Sequence, residues 1–147
     1  MLRKEIAALL RSNAALVGAL PGGIYPLADT DADYLSRDTY PAAFDDFGEV
    51  LPTALVRDSG GFPQGPAPAR GSSQVVDILL WQQRGRDAID AASRVLRVLV
   101  TGGMVAPSGL YVYQLRYAGD GPSVRDPGLD DAEHGWQRWQ AVVVTKG

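Results

Sequence analysis

His134 is the only histidine in the chain, and it stands beside the acids Asp130 and Asp131. An imidazole next to a carboxylate is the pair that general-base chemistry uses, because the acid orients the ring and stabilises its charged form. A hydrolase also needs a nucleophile. No Gly-x-Ser-x-Gly elbow occurs, and Ser59-Gly60-Gly61 lacks the strand-to-helix setting of one. There is no phosphate-cradling Gly-x-x-x-x-Gly-Lys and no second histidine for a metal. Without such support, His134 reads more simply as a solvated loop residue.

Asp29-x-Asp31-x-Asp33 has the alternating rhythm that opens a calcium loop. The continuation fails: the glycine that makes the sharp turn is missing, and Tyr40 occupies the twelfth position where a bidentate glutamate belongs. Asp120, Asp126, Asp130, Asp131 and Glu133 follow no ligand spacing. Tyr111-x-Tyr113 would suit a base-stacking platform, but that use requires a basic groove, and only Arg116 and Arg138 are at hand. Packing against a helix is the expected role of these tyrosines. No cofactor, metal or catalytic site is expected, and the chain reads as a non-enzyme.

Composition narrows the classes further. Cysteine is absent, which removes thiol catalysis, thiolate metal sites and disulfide scaffolds. The formal net charge is -3 and the pI about 5.0, against the basic balance of a duplex-binding domain. With 147 residues, 46 % hydrophobic and 21 % charged, the chain can bury a core as a single domain spanning 1–147. Neither a secretory leader nor a membrane-spanning stretch is evident, so a soluble protein is expected. Lysine occurs only at Lys4 and Lys146, leaving arginine as the dominant base. Arginine favours protein interfaces through its planar fork and weak hydration, although a GC-rich genome would produce the same bias.

The elements that must carry these residues follow from periodicity. Leu2, Ile6, Leu9, Leu10, Asn13, Leu16 and Val17 predict a helix from Leu2 to Leu20, interrupted near Ser12-Asn13 and ended by Pro21-Gly22-Gly23. Ile24-Tyr25 is a short strand. Residues 28–50 hold seven acids against one base, interleaved with aromatics, and predict an excursion lying over the sheet with a helical turn around Ala42 to Phe47. Pro52 to Asp58 is a strand. Residues 59–71 hold four Gly and three Pro in thirteen positions, which predicts a long irregular hairpin loop with Phe62 at its tip.

Ser73 to Gln82 is apolar on both faces and predicts a central strand. Arg86 to Val100 predicts a helix that buries Ile89, Ala92, Leu96, Leu99 and Val100 and displays Arg86, Asp90, Arg94 and Arg97. Thr101-Gly102-Gly103 should cap it. Leu110 to Ala118 alternates as a strand, Gly119 to Gly135 reads as a polar loop, and Trp136 to Thr145 is the last strand. The expected class is α+β: a mostly antiparallel sheet, a helix packed on one face, an N-terminal helix and a long hairpin loop.

The N-terminal helix, Gly22-Gly23-Ile24-Tyr25-Pro26, the strand Leu51-Pro52-Thr53-Ala54-Leu55-Val56, the strand 74–82 running into Arg86-Asp87-Ala88-Ile89-Asp90-Ala91-Ala92, and a Trp-rich terminal strand together give a recognisable order. Over nearly its whole length the chain resembles the tail terminator and tail-completion proteins of tailed bacteriophages. The resemblance implies a structural virion protein of the tail or neck, assembled in the host cytoplasm. It implies a homo-hexameric ring that caps the tail tube and then joins the head. The implied partners are further copies of the chain, the tail tube protein and a head-completion or connector protein. DNA would pass through the lumen without specific binding, and no membrane is involved.

For such a ring, Arg86, Arg94 and Arg97 are expected to meet Asp29, Asp31 and Asp33 of the next subunit. Phe62, Gln64 and Arg70 of the 59–71 loop are expected to contact the tail tube or an adjacent ring. The alternatives are another head–tail joining or neck protein, and a small ligand-binding domain or hydrolase built on the acidic 120–134 stretch.

Overall fold

Asn13 divides the N-terminal apolar stretch in two. In the computed structural model, which describes residues 2–27, 35–58, 62–63, 71–100, 104–105, 111–121, 124–129 and 131–145, helix α1 runs over Leu2–Arg11 and α2 over Ala14–Ala19. The Asn13 side chain accepts from the backbone N–H of Leu16 at 3.0 Å, the N-cap bond that starts a helix. Because the helix restarts, its apolar phase also restarts. Ile6, Leu10, Leu16 and Leu20 are buried, whereas Val17, expected on the buried stripe, is 45 % exposed.

Strand β1 (Gly23–Pro26) follows and pairs in parallel with β2 (Thr53–Asp58). The double glycine before it is required by close approach. A Cβ on Gly22 would stand 2.0 Å from the Thr53 hydroxyl oxygen, and Gly23 has φ +105°. Between β1 and β2, residues 35–50 lie over the sheet as predicted: Leu35, Tyr40, Ala43 and Val50 pack on Leu55, Leu79 and Trp81. The helical turn expected at 42–47 is a correction. A 3-10 turn spans only Pro41–Ala43, after which Phe44 bridges Val50 and the chain doubles back.

Two further expectations are corrected. The 59–71 stretch is not wholly irregular, because β3 (Phe62–Pro63) pairs with β4 (Gly71–Gln82) at Ser73 and Ser72. This strand continues the same side of β4 that β2 leaves at Val76, an edge position where a proline without an N–H is tolerated. Phe62 therefore sits beside β4 rather than at a loop tip. Nor is 119–135 a loop. Helix α3 (Asp87–Val100), β5 (Met104–Val105) and β6 (Tyr111–Asp120) lead to β7 (Val124–Asp126), a 3-10 turn at Pro127–Leu129, and β8 (Ala132–Thr145). Strand β7 is outer and polar, with Val124 and Arg125 exposed. The start of β8 buries only the small residues Ala132 and Gly135, so neither shows an apolar alternation.

The sheet is mixed but mostly antiparallel, in the order β1-β2-β4-β8-β6-β5, with β3 attached to β4 and β7 to β8. The last strand thus enters between β4 and β6. Strand β4 is central and covered on both faces. Val76, Ile78 and Leu80 face α1, α2 and α3 in one apolar cluster with Trp139, while Leu79 and Trp81 face the 35–50 excursion. The fold is α+β, with helices on one face. Among the described residues no helix is long and apolar enough to cross a membrane.

Candidate assembly surface

Gln82, the last residue of β4, fixes the start of α3. Its Oε1 accepts from the N–H groups of Ala88 (2.9 Å) and Ile89 (3.3 Å), and its Nε2 donates to the Asp87 carboxylate and the Arg84 carbonyl. The bond from Gln82 holds the Asp87 carboxyl below its ordinary value. With that origin set, Ile89, Ala92 and Leu96 turn inward and Asp90, Arg94 and Arg97 outward, as the spacing predicts. The side chains of Leu99 and Val100 lie outside the described set, as do Thr101, Gly102 and Gly103.

The outward face of α3 forms one wall of a cleft of about 460 Å³, whose other wall is made by the ends of β6 and β8. Arg86, Arg94 and Arg97 all line it, with Ile89 and Leu80 behind them and Asp90 and Asp120 at the rim. The three arginines are not equivalent. Arg97 makes an ion pair with Asp120 and lies 5.2 Å over the ring of Tyr117. Burial and the Asp120 carboxylate push the Tyr117 hydroxyl up. The Arg86 Nη1 is 3.6 Å from Glu133 Oε2 and is buried without a hydrogen bond. Arg94 is exposed and pairs with none of the described residues.

On the opposite face of the sheet the excursion ends in a tight turn. Asp45 Oδ1 accepts from the N–H groups of Phe47 and Glu49, both at 2.9 Å, and the Gly48 N–H donates to the Asp45 carbonyl at 3.1 Å. Gly48 takes φ +80°, and Arg37 stands over it. Glu49 is held by Arg84 at 2.7 Å. This hydrogen-bonded frame projects Phe47, which is 91 % exposed, next to the exposed Asp46.

The same face carries a row that no linear spacing announces. Arg57 on β2, Asp77 on β4 and Arg138 on β8 are register partners. The Asp77 carboxylate accepts from Arg57 at 2.8 Å and from Arg138 at 2.8 and 3.1 Å. Burial raises the Asp77 carboxyl, but the hydrogen bonds and charges of Arg138 and Arg57 outweigh it and hold the group below its ordinary value. Register, not sequence distance, brings the three together.

His134 is neither solvated nor in a loop, which corrects the expectation. It lies on β8, stacked on Trp81 at 4.4 Å and tilted against Trp136 at 5.9 Å. Its Nδ1 bonds the Leu80 carbonyl at 2.9 Å. Burial lowers its pKa against the opposing influence of that carbonyl and of Asp126. The nearby acid is Asp126, which accepts from the Trp81 indole at 3.2 Å. Asp131 is an exposed turn residue at φ +57°, and Asp130 lies outside the described residues.

Of the residues expected at an interface, Arg86, Arg94 and Arg97 are gathered into one cleft. Asp29, Asp31, Asp33, Gln64 and Arg70 lie outside the described residues, and Phe62 is described only through its backbone pairing. The side chains of Tyr111 and Tyr113 are likewise outside that set, whereas Tyr117 does pack edge-on to Trp139, at 5.2 Å, beneath Arg97 of α3. Phe47 was visible in the sequence only as one aromatic among several acids. Among the described residues no group of His, Asp and Glu is arranged to hold a metal. No protein-family model matches the chain, and no curated protein matches its sequence.

Proposed function

We propose that the protein is a structural component of a tailed bacteriophage, a tail terminator that assembles into a homo-hexameric ring, caps the tail tube and joins it to the head. The observation that carries this reading is the placement of unlike surfaces on opposite sides of one sheet. The arginine-walled cleft flanks α3 on the helical face, and residues 35–50, with Asp38 and Asp46 exposed, cover the other face. A ring requires a heterologous interface in which one face of each subunit meets a different face of the next. The order of helices and strands, which carries the resemblance to tail terminators, supports the same reading.

In this assembly Arg86, Arg94 and Arg97 line the side that meets acids of the neighbouring subunit's 28–50 segment, which includes Asp29, Asp31 and Asp33. The 59–71 loop, with Phe62, Gln64 and Arg70, contacts the tail tube or an adjacent ring. A net negative subunit lets DNA pass the lumen without sticking. Two experiments test the assignment. Reversing charge at both Arg94 and Arg97 should weaken ring formation, and unchanged assembly would count against it. Replacing residues 64–70 with a short Gly-Ser turn should leave the fold intact and abolish joining to tubes; tubes that are still capped and joined to heads would rule the loop out as the contact.

A further inference from the structure

We infer that Phe47, at the tip of the 45–48 turn, is the anchor of the subunit interface and seats in the arginine cleft of a second copy of the chain. The inference rests on the ring reading above and names the contact that would hold the ring together.

Phe47 is 91 % exposed, the most exposed of the described large hydrophobic residues, and hydrogen bonds of the backbone around it fix the turn that carries it. The Asp45 carboxylate spends its bonds on the N–H groups of Phe47 and Glu49, so the turn is ordered before any partner arrives. Aromatic side chains, phenylalanine among them, are enriched at protein interfaces. The cleft is the complementary half. At about 460 Å³ it has room for a phenyl ring, with Leu80 and Ile89 behind and guanidinium groups on its wall. Guanidinium planes stack on aromatic faces, as Arg97 already does on Tyr117.

Charge fits as well. Arg86 and Arg97 are partly neutralised by Glu133 and Asp120, which leaves Arg94 as the cation still to be met. Asp46, adjacent to Phe47, is the exposed carboxylate that would meet it, while Glu49 is already occupied by Arg84. Turn and cleft are separate surfaces, so each copy offers one of each; on the ring reading they pair head to tail, whereas reciprocal pairing would close a two-fold dimer.

The absence of cysteine allows a clean test by cross-linking. Protein carrying Asp46→Cys is mixed with protein carrying Arg94→Cys and oxidised. The expected product is a covalent dimer of one of each, and the double variant should give a ladder of covalent oligomers. Pairing Asp46→Cys with Ala8→Cys on the exposed side of α1 serves as the control. In parallel, Phe47→Ala should weaken assembly at least tenfold by sedimentation, with Phe47→Trp restoring most of it. Because Phe47 is exposed, loss of folding does not explain such a loss of assembly. Wild-type rings together with no cross-link above the control overturn the inference and leave the ring reading intact. Specific cross-links in a protein that forms only open chains or dimers support the inference and overturn the ring. Neither cross-link nor assembly, in solution and with tail tubes present, overturns both.

Discussion

The guanidinium of Arg86 lies across Gly135, with its Nη2 3.1 Å from where a Cβ would stand. Gly135 is a buried part of β8 that lines the cleft, and its missing side chain lets Arg86 lie this close to the strand. Gly135→Ala would push the Arg86 side chain toward the cleft. Since Arg86 is flexible at its far end, unfolding free energy should change by no more than about 1 kcal/mol. Assembly, measured by sedimentation, should weaken far more than thermal stability.

The Arg57–Asp77–Arg138 row makes stability depend on acid. The folded pKa of Asp77 lies below its unfolded value of 3.8, so its contribution is fully present above that value. It is lost as pH falls from 3.8 through the lower folded pKa. Asp77→Asn should remove this part of the acid transition. At neutral pH it should cost about 1.5 to 3 kcal/mol, the range for hydrogen bonds to charged groups. Chemical denaturation at pH 7 and pH 3 measures both effects.

His134 acts in a higher window. Its folded pKa is lowered from 6.5 chiefly by burial, with Asp126 opposing the shift and Arg57 and Arg86 adding to it. The unfolded chain therefore takes up a proton first as pH falls. Stability should decline from about pH 6.5 down to the lowered folded pKa and level off below it. Replacing His134 with Gln should flatten that slope in melting curves taken between pH 7.5 and 5.

Asn13 caps α2 through its bond to Leu16. Asn13→Ala should cost about 1 kcal/mol. For a chain of this size that corresponds to a fall in Tm of about 2 to 4 °C. Calorimetry on the two proteins decides it.

Much of the fold was legible because apolar residues state it directly. The two-faced run in β4, the 3.6-residue stripe of Ile89, Ala92 and Leu96, and the Ser12-Asn13 break all stand where periodicity puts them. The misses share a cause. β7 and the first residues of β8 pair through backbone while burying only small side chains, so no alternation reveals them. β3 hides in a Gly/Pro-rich stretch because an edge position tolerates proline. The arginines of the cleft were legible from helical spacing. Glu133 and Asp120 opposite them, and Asp77 between Arg57 and Arg138, depend on strand register, which only the folded chain defines. The isolation of Phe47 likewise depends on what the excursion buries beside it.

The most direct measurement is the mass and shape of the purified protein, alone and mixed with tail tubes, by native mass spectrometry and electron microscopy. The expected result is a closed homo-oligomeric ring, formed either in solution or on contact with the tube end and seated there. A protein that stays monomeric at every concentration and leaves tube ends bare would contradict it.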